Sequence, residues 1–292
     1  MKAIECKHLS KSFKKKKVLD NINLTMEKGK IYALLGRNSA GKTTLLNCLC
    51  TRYLPDEGEV YLLEEKAYEN QKVLREICLV SDYMEVFSLY KVKNILHFAQ
   101  SFYKKWDEEL MHRLLDYYEI DEKNKYAALS KGKRTVISII IGLCSGCEIV
   151  LFDEIYSGMD TVARKQFYEI LLEQQEKKPR TFVLSTHLIE EMSGLFTDVI
   201  LMDHGKILLA EDMEQVHERS YCFTGRVDQE ALLSGKCVLT KNQMGSMMQY
   251  CVYDNFTSQE LQNIKAAGMN VSSMNLQDLF IACTTNREKH WN

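Results

Sequence analysis

One stretch of the sequence, residues 36–44, reads Gly36-Arg37-Asn38-Ser39-Ala40-Gly41-Lys42-Thr43-Thr44 and matches the pattern G-x-x-x-x-G-K-[ST]. An apolar run precedes it and a leucine-rich run follows it, which predicts a buried strand before the motif and a helix after it. Backbone N–H groups of such a turn converge on phosphate oxygens, and the helix N-terminus adds its positive dipole. Lys42 would then contact the terminal phosphates, and the Thr43 hydroxyl would bind Mg²⁺. The pattern therefore predicts a nucleotide site.

Composition excludes several classes of protein. The 292 residues suffice for one large domain, or for a domain of about 200 residues with an appendage. The formal net charge of −2 gives no electrostatic support for nucleic-acid binding, so we expect no nucleic-acid partner. The longest apolar run, residues 136–144, is too short for a membrane span, and we expect no secretory signal. The ten scattered cysteines favour reduced thiols and a cytoplasmic location.

Further candidate residues follow two other apolar runs. Asp153 and Glu154 come directly after the predicted strand 149–152, and open α/β sheets bind ligands at the carboxyl ends of their strands. Asp153 can hold Mg²⁺ through water, while Glu154 can orient or deprotonate an attacking water. His187 follows the next predicted strand, 181–185, so we expect it at the same edge in a phosphate or catalytic contact.

Helical segments separate these strands. Apolar periodicity predicts helices between residues 91 and 118, with Asp107 as the N-cap of the second. Ser130 and Gly132 lie near the start of a further predicted helix, 133–143, where an anion could bind. Beyond residue 218 the short strands and helices indicate a small α+β appendage with a structural or regulatory role.

Taken in order, these stretches resemble the ATP-binding subunit of an ABC transporter, over residues 1 to about 215. Residues 36–44 look like the Walker A motif, and residues 129–133 look like the signature sequence. Residues 149–154 look like the Walker B motif with its catalytic glutamate. Residues 157–160 look like the D-loop, which ends in Asp160, and residues 185–187 look like the segment with the switch histidine. Phe13 fits the adenine-stacking aromatic of this family.

The resemblance implies the fold and its divisions. The expected class is α/β, that of a P-loop NTPase with an ABC-type ATPase core. This core combines a RecA-like sheet, an antiparallel β subdomain and a helical subdomain, and a small α+β C-terminal domain follows it. We expect the ATPase domain at residues 1–218, its helical subdomain at about 83–145, and the accessory domain at 219–292.

The resemblance also implies a mechanism and partners. Two such subunits dimerise head to tail, and each ATP with its Mg²⁺ lies between the Walker A motif of one subunit and Ser130 and Gly132 of the other. Glu154 and His187 would be catalytic, and a homodimer could build two complete sites. The family further implies a separate transmembrane permease subunit, and peripheral attachment at the cytoplasmic face of the cell membrane. Similarity to the bacitracin-export-like group, at the signature and at Phe102-Tyr-Lys-Lys-Trp-Asp107, implies export of a peptide, antimicrobial or lipid-like cargo.

Several residues depart from the family pattern. The signature reads Leu-Ser-Lys-Gly-Lys where the family has Leu-Ser-Gly-Gly-Gln, so Lys131 and Lys133 are expected to add positive charge near the partner's γ-phosphate. Asp82 stands roughly where the family has its Q-loop glutamine, which puts both a Mg²⁺ contact and coupling to the membrane subunit in question there.

Two other functions stay open at this stage. A nucleotide-gated signalling or resistance module would close on ATP with little turnover, and the altered signature favours it while Glu154 and His187 oppose it. A soluble ABC protein acting on ribosomes or DNA would generally carry two cassettes or a long coiled coil, and this sequence has one cassette and no heptad run. Export follows here from the family resemblance, and the cargo would be selected by the membrane subunit.

Overall fold

The computed structural model describes residues 1–81 and 87–285 of the chain. The elements up to residue 81 are β1 (Lys2–Phe13), β2 (Lys16–Glu27), β3 (Ile31–Gly36), α1 (Lys42–Leu49), β4 (Glu57–Leu62), β5 (Glu65–Lys66), α2 (Gln71–Leu74) and β6 (Ile77–Ser81). Those that follow, up to residue 219, are α3 (Val92–Phe102), α4 (Glu108–Tyr117), α5 (Lys131–Cys144), β7 (Ile149–Asp153), α6 (Thr161–Lys177), β8 (Thr181–Ser185), α7 (Ile189–Met192), β9 (Asp198–Asp203), β10 (Lys206–Asp212) and α8 (Met213–Arg219). The remaining elements are β11 (Ser220–Gly225), β12 (Val238–Met244), β13 (Met247–Tyr253), α9 (Ser258–Ala266), β14 (Asn270–Ser273) and α10 (Leu276–Thr285).

The main sheet has the strand order β10-β9-β3-β8-β7-β6. Strand β3 pairs in parallel with β8 and β9, and β7 pairs in parallel with β8 and β6, while β10 runs antiparallel to β9. Every residue of β3 and β8 is buried, as their near-continuous apolar sequences predict for strands covered on both faces. The expected α/β class is confirmed.

A second, antiparallel sheet has the order β2-β1-β4-β5 and packs on the helix that follows the phosphate loop. Leu45, Leu46 and Leu49 of α1 belong to the same hydrophobic cluster as Ile4 and Leu19 of this sheet. The two sheets therefore hold α1 between them, and the orientation of α1 sets where the phosphate loop points.

The helical segments α3, α4 and α5 pack over one face of the main sheet. The predicted cap is confirmed, since the Asp107 carboxylate accepts a hydrogen bond from Leu110 N at 2.8 Å. Close packing places Gly142 of α5 against the sheet, where a Cβ would lie 2.6 Å from Val80 Cγ2 and 3.0 Å from Phe152. This contact fixes α5, and with it the position of the α5 N-terminus.

A third sheet, β12-β13-β11-β14, begins directly after α8. Leu276 and Leu279 of α10 share one buried cluster with Leu195 and Phe196, so this part packs on the α/β core through apolar contacts. The predicted boundary between residues 218 and 219 stays a prediction. Within the described residues, no helix combines the length and apolar character that crossing a membrane requires.

A glycine in the β9–β10 turn supports the phosphate loop. Gly205 N donates to Ala40 O at 2.9 Å, and Gly205 O accepts from Asp20 N at 2.9 Å. The residue has φ of +76°, and a Cβ on it would lie 2.3 Å from Val18 O. A side chain here would meet both conformational strain and a backbone atom.

We predict that Gly205→Ala lowers the free energy of unfolding by at least about 1 kcal/mol more than Gly235→Ala does. Gly235 has a similar φ of +79° but open space around its Cβ position, so this control isolates the steric cost from the cost of positive φ. Urea unfolding of the two variants and the wild type gives the comparison. Equal losses would contradict the close approach of Val18 to the turn.

Candidate functional site

The phosphate loop joins the end of β3 to the start of α1. Gly41 caps α1 with φ of 109°, a left-handed conformation that favours glycine. The first backbone N–H groups of a helix have no acceptor within the helix, so those of Lys42, Thr43 and Thr44 are available to an anion. At the tip of the loop, Arg37, Asn38 and Ser39 are exposed, whereas Ala40 is buried. The loop thus has the geometry of a phosphate cradle.

The Lys42 ammonium is buried and has two partners. Its Nζ donates to Gly36 O at 2.7 Å and lies 3.0 Å from Glu154 Oε1. The Lys42 side chain is 5% exposed and that of Glu154 is 38% exposed. A buried ammonium requires a compensating charge, and Glu154 supplies it here. An incoming terminal phosphate would compete with Glu154 for the same ammonium.

The Asp153 carboxylate is largely buried beside two hydroxyl side chains. Burial raises the pKa of Asp153, and nearby Thr43 and Ser185 act in the opposite direction. Asp153 pairs with Ser185 across β7 and β8, yet neither Asp153 Oδ1 nor Ser185 Oγ makes a hydrogen bond of ordinary geometry within the described part of the chain. A hard cation such as Mg²⁺ prefers oxygen donors, so these unpartnered oxygens together with the Thr43 hydroxyl fit a magnesium ion or its bound water.

The backbone turns sharply at Glu154. This residue has φ of 49°, and its N–H donates to Ser185 O at 3.1 Å. A non-glycine residue in the left-handed region carries strain of the kind found at functional sites. The turn directs the Glu154 carboxylate toward Lys42. His187 lies just beyond β8, where the sequence predicts it, and is exposed, with no hydrogen bond or ion pair to residues 1–81 or 87–285.

Phe13 lies at the end of β1 and is 41% exposed. Its ring contacts Tyr53 edge to face at a centroid distance of 5.4 Å. The β1–β2 hairpin brings Phe13 near the phosphate loop, because Val18 O on β2 would lie 3.0 Å from a Cβ at Gly41. Phe13 and Tyr53 therefore form an exposed aromatic pair beside the loop, the surface on which a purine can stack.

The signature-like residues lie at the start of α5. The Ser130 hydroxyl is the N-cap of α5 and accepts from Lys133 N at 3.3 Å. Gly132 packs on the turn after β7, where a Cβ would lie 3.0 Å from Gly158 O. Lys133 Nζ donates to Glu119 O at 2.6 Å, and the expectation that Lys133 adds positive charge near a partner's γ-phosphate stays a prediction. Lys131 is exposed and keeps its ammonium free of hydrogen bonds and ion pairs to the described residues.

The structure thus brings the predicted residues into two groups. Lys42, Thr43, Asp153 and Glu154 meet at the carboxyl edge of the main sheet. Ser130, Gly132 and Asp160 lie in the second group, where Asp160 caps α6 by accepting from Ala163 N at 2.8 Å.

Within the ranges that the structure describes, no hydrogen bond or ion pair joins this second group to the phosphate loop. Asp82 lies outside those ranges. Sequence reasoning missed Ser185, Tyr53 and the supporting turn at Gly205. Of these, only the position of Ser185 at a strand end carried a signal in the sequence.

Comparison with known proteins agrees with this geometry. A family model described as "ABC transporter" matches residues 19–157. The chain is similar to "ABC transporter ATP-binding protein YtrB" of Bacillus subtilis (strain 168), with 24% identity over 96% of this chain and 97% of that protein. It is also similar to "Uncharacterized ABC transporter ATP-binding protein MJ1023" of Methanocaldococcus jannaschii, with 31% identity over 73% of this chain and 79% of that protein.

A solved structure shares the fold. It is described as the dimeric structure of a post-hydrolysis state of the ATP-binding cassette MJ0796 bound to ADP and Pi. The TM-score is 0.64 at 21% identity, and the match covers 72% of this chain and 98% of that one. At this level of identity the likeness shows the fold.

We predict that Asp153→Asn stabilises the protein without nucleotide at neutral pH, because it removes a buried negative charge. Folding raises the pKa of the Asp153 carboxyl. At pH values between its ordinary pKa and its raised pKa, this carboxyl is therefore protonated in the folded state and ionised in the unfolded state. The contribution of this group to wild-type stability therefore falls as pH rises through that window, and the advantage of the variant shrinks as pH is lowered.

Urea unfolding of both proteins from about pH 4 to about pH 7 measures this difference. Asp160→Asn is the matched control, because the same chemical change there alters an exposed capping carboxylate. A variant less stable than wild type at neutral pH would show that Asp153 stabilises the site as a charged group.

Proposed function

Because this chain belongs to the ATP-binding proteins of ABC transporters, we propose that it hydrolyses Mg²⁺-ATP to power export through a separate transmembrane permease subunit. The ATPase activity is that of the family. The observation that carries the proposal is the convergence of Lys42, Asp153 and Glu154 at one sheet edge, beside a helix N-terminus. A phosphate cradle without carboxylates would suit binding alone, whereas these two carboxylates suit hydrolysis.

In the proposed site, residues 36–44 bind the phosphates of ATP and Phe13 stacks on the adenine, with Tyr53 supporting its ring. Thr43 and Asp153 would hold Mg²⁺, Asp153 through water, with the Ser185 hydroxyl beside them. The ion would neutralise negative charge on the phosphates. A contribution from Asp82 stays a prediction.

Two side chains of this chain change partners when nucleotide binds. The γ-phosphate takes Lys42 Nζ, and Glu154 gives up the contact of 3.0 Å that it makes with that ammonium. The freed carboxylate then orients and deprotonates the attacking water, since its strained turn keeps it at the sheet edge. His187, exposed at the end of β8, contacts the γ-phosphate as the site closes.

The second group of residues completes the site of a partner. Ser130 is exposed at the N-terminus of α5, whose N–H groups and dipole favour an anion. Ser130 and Gly132 make no polar contact with the phosphate loop of the described chain, and we propose that they bind the ATP of a second subunit. Asp160 lies on the same side, through the contact of Gly132 with the turn at Gly158. A homodimer would then contain two sites of identical composition.

An exposed aromatic surface fits the membrane subunit. Phe98 and Phe102 of α3 contact each other at 4.9 Å between centroids, and Phe87 lies 5.8 Å from Phe98. Phe98 is 51% exposed, Phe102 61% and Leu89 82%. Contiguous exposed apolar residues of this kind mark interaction sites. We propose that a helix of the permease docks here, which places the protein peripherally at the cytoplasmic face of the cell membrane.

Export and the class of cargo rest on the bacitracin-export-like features of residues 102–107 and 129–133. The proposed cargo is a peptide, an antimicrobial or a lipid-like compound, selected by the permease. ATP favours the closed dimer over the open one, and this difference in affinity shifts the conformational equilibrium of the permease. The alternative, a nucleotide-gated signalling or resistance module, predicts dimer closure on ATP with little turnover.

We predict that Glu154→Gln lowers Mg²⁺-ATP turnover by about 10²- to 10⁴-fold, because the amide cannot accept a proton from water. The variant should accumulate as an ATP-bound dimer on size-exclusion chromatography. Glu169→Gln on α6 is the control, since it changes an exposed glutamate on a helix face. A wild type that dimerises on ATP without turnover would favour the signalling alternative. Full activity in Glu154→Gln would remove the assigned role.

We predict that Ser130→Ala binds nucleotide almost normally as a monomer but forms the ATP-bound dimer poorly. The hydroxyl is also a helix cap, and loss of a cap costs about 1 kcal/mol. Thr257→Ala corrects for this, because Thr257 caps α9 by accepting from Glu260 N at 3.2 Å. Nucleotide binding by equilibrium titration and dimer fraction by light scattering separate the two effects. Normal dimers in Ser130→Ala would contradict a role opposite a partner's ATP.

A further inference from the structure

A second cavity lies at the edge of the main sheet opposite the nucleotide site. It has a volume of about 280 Å³ and is bounded by the C-terminal ends of α5 and α6 and by the segment that enters β8. Strands β7 and β8 begin at this edge and end at the edge that holds Asp153 and Ser185. Seven of its lining residues are charged, five basic and two acidic: Lys105, Arg113, Lys177, Lys178, Arg180, Asp107 and Glu109.

Arg180 is the unusual member of this lining. Its side chain is buried, with the residue 4% exposed. Its guanidinium makes no hydrogen bond or ion pair with the residues that the structure describes, and Nη1 is fully buried. The ring of Phe182 lies 5.1 Å from the guanidinium carbon. Burial lowers the pKa of Arg180, while nearby cysteines and Asp107 act in the opposite direction. An arginine stays protonated in proteins, so the guanidinium is a buried cation without a direct ion-pair partner among the described residues.

The other basic residues of the cavity differ in how far they are neutralised. Arg113 and Lys177 share Glu173, each at 2.6 Å. Lys105 lies 2.8 Å from Glu76. Lys178 is exposed and, like Arg180, has no direct ion pair within the described residues.

The two acidic residues of the lining make no direct contact with the Arg180 guanidinium. The Asp107 carboxylate caps α4 through Leu110 N and acts on Arg180 only electrostatically, and neither Asp107 nor Glu109 forms an ion pair with it. Arg180 and Lys178 thus place two positive charges beside one cavity without a direct ion pair to the described residues.

We propose that this cavity is a binding site for a small anion that carries a phosphate or carboxylate group, with Arg180 as its anchor. The planar guanidinium presents its donors in a fork that matches two oxygens of either group. Lys178 adds a second cation at the rim. The volume suits a phosphate ester or a dicarboxylate of a few heavy atoms rather than a polymer.

An adjoining groove allows a longer ligand. It has a volume of about 480 Å³, shares Lys105 and Gly146 with the first cavity, and is also lined by Lys72, Arg75 and Lys104. Of these, Arg75 and Lys104 have no ion pair within the described ranges. A phosphorylated metabolite anchored at Arg180 could therefore extend along further positive charge.

The test compares the stability of wild type and Arg180→Met in inorganic phosphate, in succinate and in chloride at equal ionic strength. Phosphate or succinate should raise the Tm of wild type above its value in chloride, since an anion that binds only the folded state stabilises it. Arg180→Met keeps an apolar side chain of similar length. The variant should lose this rise in Tm, and its apparent affinity for the anion should be lower than that of wild type by roughly tenfold or more. In chloride alone the variant should be at least as stable as wild type, because it no longer buries a cation that lacks a direct ion pair.

Three further variants keep the result interpretable. Phosphate also binds the phosphate loop, so the comparison is repeated in Lys42→Ala, where the remaining shift should depend on Arg180. Arg219→Met is the matched control, because Arg219 stacks on Tyr253 and is paired with Glu211 at 2.8 Å. Lys178→Ala changes an exposed residue without risk to folding and should weaken the anion effect severalfold.

A response to phosphate alone would assign a phosphorylated ligand, and a response to succinate alone a carboxylate. Arg180→Met and Lys178→Ala proteins that retain the full wild-type shift in the Lys42→Ala background would overturn the proposal. So would a wild type that responds to neither anion.

Discussion

Parallel pairing of β3 with β8, and of β8 with β7, is the constraint on which the proposed site depends. Parallel strands end at the same edge of a sheet, so the pairing brings Gly36, Ser185 and Asp153 to one line although they are far apart in sequence. At this edge of the sheet, each of the three strands leads into a residue of the proposed site. The phosphate loop and the two carboxylates are therefore positioned by backbone hydrogen bonds between buried apolar strands, not by the loops themselves.

The proposed nucleotide site holds its charges at a cost. Lys42 is buried against Glu154, Asp153 is buried with a raised pKa, and Glu154 occupies a left-handed backbone conformation. Each feature is individually unfavourable, and a triphosphate with its metal ion would relieve the first two.

Helix α5 links the face assigned to a partner's ATP, the cavity of Arg180 and the exposed aromatic surface. It begins at Ser130, on the face assigned to a partner's ATP, and ends at Cys144, close to the cavity of Arg180. Its middle is pressed on the main sheet at Gly142, and its first turn contacts the segment after Glu154. A rigid helix held at these points connects both edges of the sheet to the helical segments that carry the exposed aromatic surface.

The sequence by itself determined the phosphate loop, the buried strands and the carboxylates at their ends, because these depend on local spacing and apolar runs. Even the cap of α4 by Asp107 was predictable from its neighbours. Three contacts join segments that are distant in sequence. They are the ion pair of Lys42 with Glu154, the ring contact of Phe13 with Tyr53 and the hydrogen bond from Lys133 Nζ to Glu119 O. Only the tertiary structure decided them. It alone shows Arg180 buried without an ion-pair partner among the described residues, since burial is a property of the packed chain rather than of the residues beside it.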